Sequence, residues 1–242
     1  MPRLSALLLS LGASFAVLAA TPEEDVQRYI AVFQAGGDTD KAVDDLGWKG
    51  LSDTRLFDII EKRLIDDAEI TSRRNRIDRN HIARLIKALG YSGQPQYEKT
   101  ISTFVGDRAY RAHAERALTN LRLYQRWNPV ISSRAGWDPK YTDDVNRVRN
   151  MLSSDDIQLQ AVGAKRVFYG HPDEQVLLDL LADRLRACYK TVGDPDGVEA
   201  AGWMVNGLGK SGAEKHRAVI QEVAAGAASD KLRARAEKTL RR

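Results

Sequence analysis

Cysteine is almost missing from this chain: Cys188 stands alone, so no internal disulfide can brace the fold. It follows Leu181 and Leu185 in an apolar, helix-like stretch and is expected to be a buried thiol. No H-E-x-x-H motif or Cys–His cluster occurs. His81, His113, His171 and His216 do not stand at ligand spacing from one another, so no metal is expected. No serine sits in G-x-S-x-G, which argues against a nucleophile elbow. Alternation of the strand kind is nearly absent. Past residue 20 no long uncharged run exists, so no span of a membrane is expected in the mature chain.

What is present begins with a leader. Arg3 precedes an uncharged stretch rich in Leu and Ala from Leu4 to Leu18. Ala19 and Ala20 follow, then the abruptly acidic Thr21-Pro22-Glu23-Glu24-Asp25. That order reads as a secretory signal peptide over residues 1–20, cleaved after Ala19 or Ala20, with a periplasmic or secreted destination. Its removal takes Arg3 and no acidic residue, so the formal charge falls from +4 to +3. A mildly basic surface favours acidic partners. Export argues against nucleic acid. The remaining balance, with 43% hydrophobic and 29% charged residues over the full chain, suits a folded soluble protein and not a disordered one.

Helical periodicity fills the rest. Leu56, Ile59, Ile60 and Leu64 share one helical face, as do Ile82, Leu85, Ile86 and Leu89, and Tyr97, Ile101, Phe104 and Val105. Leu177, Leu180, Leu181 and Leu185 repeat the pattern, and so do Ala201, Met204, Val205 and Leu208. Ser52-Asp53, Asp155-Asp156 and Pro172-Asp173 are expected helix starts. Gly90, Gly93, Gly170, Gly209 and Gly212 are expected near helix ends.

The chain also repeats itself. LFDIIEKRL at 56–64 matches LLDLLADRL at 177–185, an offset of 121. LGYSG at 89–93 matches LGKSG at 208–212, offset 119, and RAHAERAL at 111–118 matches RARAEKTL at 233–240, offset 122. The matches are collinear and nearly evenly spaced, which implies a tandem duplication. The expected organisation is a first half at 21–121, a connector at 122–144 and a second half at 145–242. The connector carries Trp127, Pro129, Trp137, Pro139 and Tyr141 with weak periodicity, and is expected to be irregular.

Leu89-Gly-x-Ser-Gly, then the amphipathic stretch Tyr97 to Val105, then Arg-Ala-x-Ala-Glu-x-x-Leu at 111–118 resembles a HEAT-like repeat. In such repeats small residues on the second helix let neighbours stack, a role that Ala112, Ala114, Ala117, Ala234 and Ala236 suit. The resemblance covers most of 48–121 and 155–242. It implies an all-α fold, a short α/α superhelix, and an extended surface for partners.

Gly207-Leu-Gly209-Lys210-Ser211-Gly212 imitates a phosphate loop, but a helix-like segment precedes it and Met204 stands where the Walker form needs glycine. No cofactor is expected. Asp44-Asp45, Asp66-Asp67, Asp143-Asp144 and Asp155-Asp156 fall mostly at helix ends and suit the helix dipole. The candidate binding residues are the connector aromatics Trp127, Trp137 and Tyr141 with Arg126 and Arg134, joined by the basic Arg73, Arg74 and Arg76. Aromatic rings beside arginine resemble interface anchors. Fold analogy then suggests a non-enzymatic periplasmic adaptor that holds a protein or peptide. A HEAT-like enzyme or enzyme accessory, lyase-like or cell-envelope-modifying, is the alternative.

Overall fold

The computed structural model describes residues 21–35, 39–70 and 76–241, and among these residues every regular element is helical. The expected leader, together with Arg73 and Arg74, lies outside them. In chain order the helices are α1 (Pro22–Gln34), α2 (Asp40–Lys49), α3 (Thr54–Ile70), α4 (Arg76–Tyr91), α5 (Glu98–Thr103) and α6 (Arg111–Ile131). Then come α7 (Asp143–Ser153), α8 (Ile157–Gly170), α9 (Gln175–Cys188), α10 (Pro195–Ser211), α11 (Glu214–Gly226) and α12 (Asp230–Leu240). None is long and apolar enough to cross a membrane.

The helices form an all-α, solenoid-like stack of antiparallel pairs. The even-numbered helices pack as α2–α4–α6 and as α8–α10–α12, each with an odd-numbered layer beside it. The apolar quartets explain the pairing. Ile82, Leu85, Ile86 and Leu89 are buried on α4, as are Ala201, Met204, Val205 and Leu208 on α10. A helix pair alone leaves such a face wet; stacking pairs closes it. The three repeated segments fall on corresponding helices: LFDIIEKRL on α3 and LLDLLADRL on α9, the two LGxSG segments at the ends of α4 and α10, and the Arg-Ala segments on α6 and α12.

The LGxSG segments have a mechanical purpose. Ser92 Oγ donates to the Leu89 carbonyl at 2.6 Å, and Ser211 Oγ donates to the Leu208 carbonyl at 2.7 Å. Gly93 and Gly212 then turn the chain at φ +65°, where a side chain would be strained. Gly90 and Gly209 lie in the last turns of α4 and α10, near the helix ends as expected.

Two expectations need correction. Residues 123–131 are not irregular: they continue α6 to Ile131. Tyr124, Trp127, Asn128 and Ile131 are buried at helical spacing, a pattern that the polar Asn128 and the helix-breaking Pro129 conceal. Asn128 Nδ2 donates to the carbonyls of Leu51 (3.2 Å), Tyr91 (3.0 Å) and Ser92 (3.0 Å), so it ties the ends of α2 and α4 to α6. Second, α9 begins at Gln175 with Glu174 as its N-cap, later than Pro172-Asp173 suggests. At Asp156 the expectation holds: its carboxylate accepts from the amides of Gln158 and Leu159.

The core follows the stacks. One apolar cluster lies within α1–α6 and another within α7–α12. A third, at the seam, joins Tyr124, Trp127 and Ile131 of α6 to Met151 of α7 and Leu159 of α8. Beside it α1 meets α7 through a buried ion pair between Asp25 and Arg147.

Candidate functional site

Among the described residues, those chosen from sequence fall into three separate settings. Trp127 is only 4% exposed, and its Nε1 donates to Asp156 Oδ2 at 2.8 Å. Arg126 pairs with the same carboxylate at 3.5 Å. Trp137 is half-buried, with the guanidinium of Arg134 4.6 Å and that of Arg147 5.5 Å from its ring centre. Tyr141 carries Lys140 at 4.9 Å and Arg149 at 5.3 Å. These rings are covered by the chain's own cations. Arg76 opens α4, and its side chain lies outside the described set. Cys188 is half-buried at the end of α9, and burial pushes its thiol pKa up.

One constellation has the residue types of a catalytic triad. Ser211 Oγ lies 2.8 Å from His216 Nδ1, and His216 Nε2 lies 3.6 Å from Asp179. A nucleophilic serine must give its proton to the base. Ser211 instead gives it to the Leu208 carbonyl. The other half explains the arrangement: Ser92, Tyr97 and Asp58 stand at the aligned positions, and Tyr97 Oη donates to Asp58 Oδ1 at 2.7 Å. The serine ends α4 or α10, and the ring ties the next turn to α3 or α9. No group of three His, Cys, Asp or Glu side chains able to hold a metal occurs among the described residues.

A groove of about 710 Å³ runs between α3 and α5 along Ile65, Ala68, Glu69, Lys99, Thr100, Thr103 and Phe104. A smaller groove of about 340 Å³ between α2, α4 and α6 is lined by Asp44, Asn80, Arg84, Lys87 and His113. Its charges are neutralised within the chain. Arg84 pairs with Asp40, and Lys87 Nζ lies 3.2 Å from Asp44. Burial opposes the Lys87 charge, but Tyr91 and Asp44 outweigh it and hold its pKa above the ordinary value.

The matching face of the second half is different. On α8, Lys165, Phe168 and Tyr169 follow the i, i+3, i+4 spacing that places side chains together. On α10, Glu199 and Trp203 are one turn apart, and Lys210 follows two turns later. Phe168 and Tyr169 lie 4.9 Å apart at 87°, and Trp203 sits 5.8 Å from Phe168 and 6.0 Å from Tyr169. Lys165 Nζ stands 5.2 Å from the Trp203 ring centre, and Lys210 Nζ 4.8 Å from that of Phe168. Tyr169 is 67% exposed, an unusual position for a large ring. One carboxylate answers these cations: Glu199 accepts from Trp203 Nε1 at 2.7 Å and pairs with Lys165 at 3.6 Å and Arg235 at 4.0 Å. The Trp203 hydrogen bond chiefly holds the Glu199 pKa below its usual range, against burial and with help from Lys165 and Arg235. Three aromatic rings and three cations thus meet one anion on an open face.

Sequence reasoning missed the union of Phe168, Tyr169 and Trp203. The available signal was Lys165, Phe168 and Tyr169 on one flank of α8, with Ala164 and Val167 buried beneath.

No family model matches this chain, and no curated protein matches it. Among solved structures it resembles that of human deoxyhypusine hydroxylase in complex with glycerol, at 11% identity and a TM-score of 0.39, over 92% of this chain and 90% of that one. The likeness carries no activity to this chain. The expectation of a non-enzymatic periplasmic adaptor is withdrawn: nothing in the comparisons supports it.

Proposed function

We propose that this is an exported, HEAT-like repeat protein that binds an anionic, ring-bearing small molecule, such as an acidic saccharide, on the face of α8, α10 and α12. The carrying observation is the cluster of Phe168, Tyr169 and Trp203 with Lys165 and Lys210 over its rings. The exposed Tyr169 keeps one face for a ligand ring, and the cations outnumber Glu199 three to one. An acidic group on the ligand replaces Glu199 as partner to Lys165 and Arg235, while the ligand's ring lies against Tyr169. Such charged contacts are strong where rings exclude water.

Export is part of the same reading. Residues 1–20 are the leader, and α1 opens at Pro22 with Thr21 as its cap, so cleavage leaves the folded part whole. The halves at 21–121 and 145–242 derive from one duplicated ancestor, with 122–144 between them. The corresponding order of α3–α6 and α9–α12 supports this.

Calorimetric titration with sulfated or carboxylated oligosaccharides tests the binding. Wild type is expected to bind them and not their neutral counterparts, with affinity falling as salt rises. Trp203→Ala and Lys210→Glu are expected to lose at least tenfold, about 1.4 kcal/mol. Equal affinity in both variants sinks the assignment of this face. The mass of the chain recovered from periplasmic extract tests the leader.

A further inference from the structure

The second half of the chain shows what fills the groove between α3 and α5 when the chain fills it by itself. At the offsets of the flanking repeats, Ile65 aligns with Arg186, Ala68 with Tyr189, Thr103 with Glu222 and Phe104 with Val223. In the second half this place is closed. The Tyr189 ring is buried against the end of α11, with Cε2 3.5 Å from where a Cβ on Gly226 would stand. Arg186 reaches from α9 to α11 and donates to Glu222 from Nη2 at 2.9 Å and from Nε at 3.1 Å. The Ala228 amide donates to the Tyr189 carbonyl at 3.0 Å and ties the end of α9 to the chain beyond α11.

The first half lacks these parts. Ala68 carries no ring, and Ile65 and Thr103 cannot form an ion pair. The repeat offset grows from 119 at Gly93 to 122 at Arg111, so the first half is three residues shorter here. Accordingly α5 stops at Thr103, whereas α11 runs on to Gly226. Phe104 is larger than Val223, but its ring stands edge-on to Tyr110, 5.8 Å away at 83°. The groove of about 710 Å³ stays open beside it, and Ile65 on its wall is 44% exposed. Between the halves, Ala68 is a large-to-small exchange, and such an exchange leaves an apolar space that suits the ring it lost.

Two charges complete the groove. Glu69 on α3 and Lys99 on α5 both line it. Among the described residues neither has an ion-pair partner, whereas Arg186 and Glu222 satisfy each other across the corresponding place. One occupant meets all three demands. Its ring packs on Ala68 and edge-to-face on Phe104. Its ammonium faces Glu69 and its carboxylate faces Lys99, in charge-assisted contacts beside an apolar floor.

We propose that the groove between α3 and α5 binds a free aromatic amino acid, ring inward and zwitterion at the mouth. This site is separate from the face of α8, α10 and α12 and does not depend on it.

Calorimetric titration of the protein with L-phenylalanine tests this. Phenylalanine is expected to bind at one site, and L-leucine, which keeps the zwitterion and lacks the ring, about tenfold or more weakly. Phenethylamine and 3-phenylpropionate each keep the ring and one charge, and are expected to bind more weakly than phenylalanine. Ala68→Tyr restores the ring of the second half, so it is expected to keep or raise Tm and to abolish binding. Lys99→Glu weakens phenylalanine, and Trp203→Ala leaves it unchanged. The proposal is overturned if phenylalanine does not bind, if leucine or either singly charged analogue binds as tightly, or if binding survives in Ala68→Tyr. It is equally overturned if Trp203→Ala abolishes binding, which would place the ligand on the other face. Should Ala68→Tyr not fold, Ile65→Arg/Thr103→Glu, which installs the ion pair of the second half, decides by the same loss of binding.

Discussion

A Cβ placed on Gly90 would stand 2.7 Å from the carbonyl oxygen of Ala117 and 2.9 Å from its Cα, so α4 and α6 meet backbone to backbone. In the other half Gly209 faces Thr239, and there the obstacle is the Cγ2 methyl at 2.1 Å. Alanine gains about 1 kcal/mol over glycine in helix propensity, but overpacking costs about 1–3 kcal/mol. Gly90→Ala is expected to lower the urea midpoint clearly, because backbone cannot rotate away. Gly209→Ala is expected to lose less, since Thr239 can turn by giving up its 2.9 Å hydrogen bond to the Arg235 carbonyl. A stabilised Gly90→Ala protein would contradict the close approach.

His216 and Tyr97 hold aligned positions and face Asp179 on α9 and Asp58 on α3. His216→Tyr is expected to fold, with its new hydroxyl reaching Asp179, whereas His216→Ala leaves a void and loses about 1–3 kcal/mol. Chemical denaturation of both variants separates these outcomes. Similar losses in the two would show that the halves are not interchangeable at this point.

The same histidine sets a pH dependence. Burial chiefly lowers the pKa values of His216 and His171. The unfolded imidazoles then bind protons first, so stability is full above about pH 6.5 and declines as pH falls below it. Asp144 acts lower: burial raises its pKa, but Lys49 and Arg166 prevail and hold it at about 2. Its contribution is present above the unfolded carboxylate value near 3.9 and is lost as pH falls toward 2. Denaturation at a series of pH values should show two declines. A His171→Gln/His216→Tyr protein should lack the upper one.

Asp25 and Arg147 join the N-terminal helix to the second stack. Arg147→Ala leaves the buried Asp25 carboxylate with only the largely exposed Arg28 and is expected to cost about 2–4 kcal/mol. Asp25→Leu/Arg147→Met, which replaces both charges by apolar groups, should recover most of that. If the double variant is no more stable than Arg147→Ala, the pair is not the joint described.

Exposed and buried rings should behave oppositely. Tyr169→Ser is expected to change stability by less than about 0.5 kcal/mol while weakening the anionic saccharide. Trp127→Ala removes a core ring and the Asp156 hydrogen bond, and should cost about 3–5 kcal/mol. Paired melts and titrations check both. A large stability loss in Tyr169→Ser would make that ring structural.

Much of the architecture was legible in residue order. Helical spacing of Leu, Ile and Ala marked the buried faces of α3, α4, α9 and α10, because periodicity records which side of a helix is dry. The connector was misread since Pro129 and Asn128 interrupt the apolar pattern of α6, and Pro129 is tolerated within a turn of the helix end. Binding residues were harder to see. An aromatic side chain reads the same in sequence whether it is buried like Trp127 or open like Tyr169; packing by distant helices makes the difference.

The sequence by itself determined that the chain is helical, that its segments repeat in order, and where Gly93 and Gly212 must turn. These are local properties of backbone and side-chain spacing. Only the tertiary structure decided that Phe168, Tyr169 and Trp203 share one face and that Lys49, Asp144 and Arg166 share one corner. Those groups lie on different helices, and the stacking of α8 on α10 and of α7 beside α2 brings them within reach of one another.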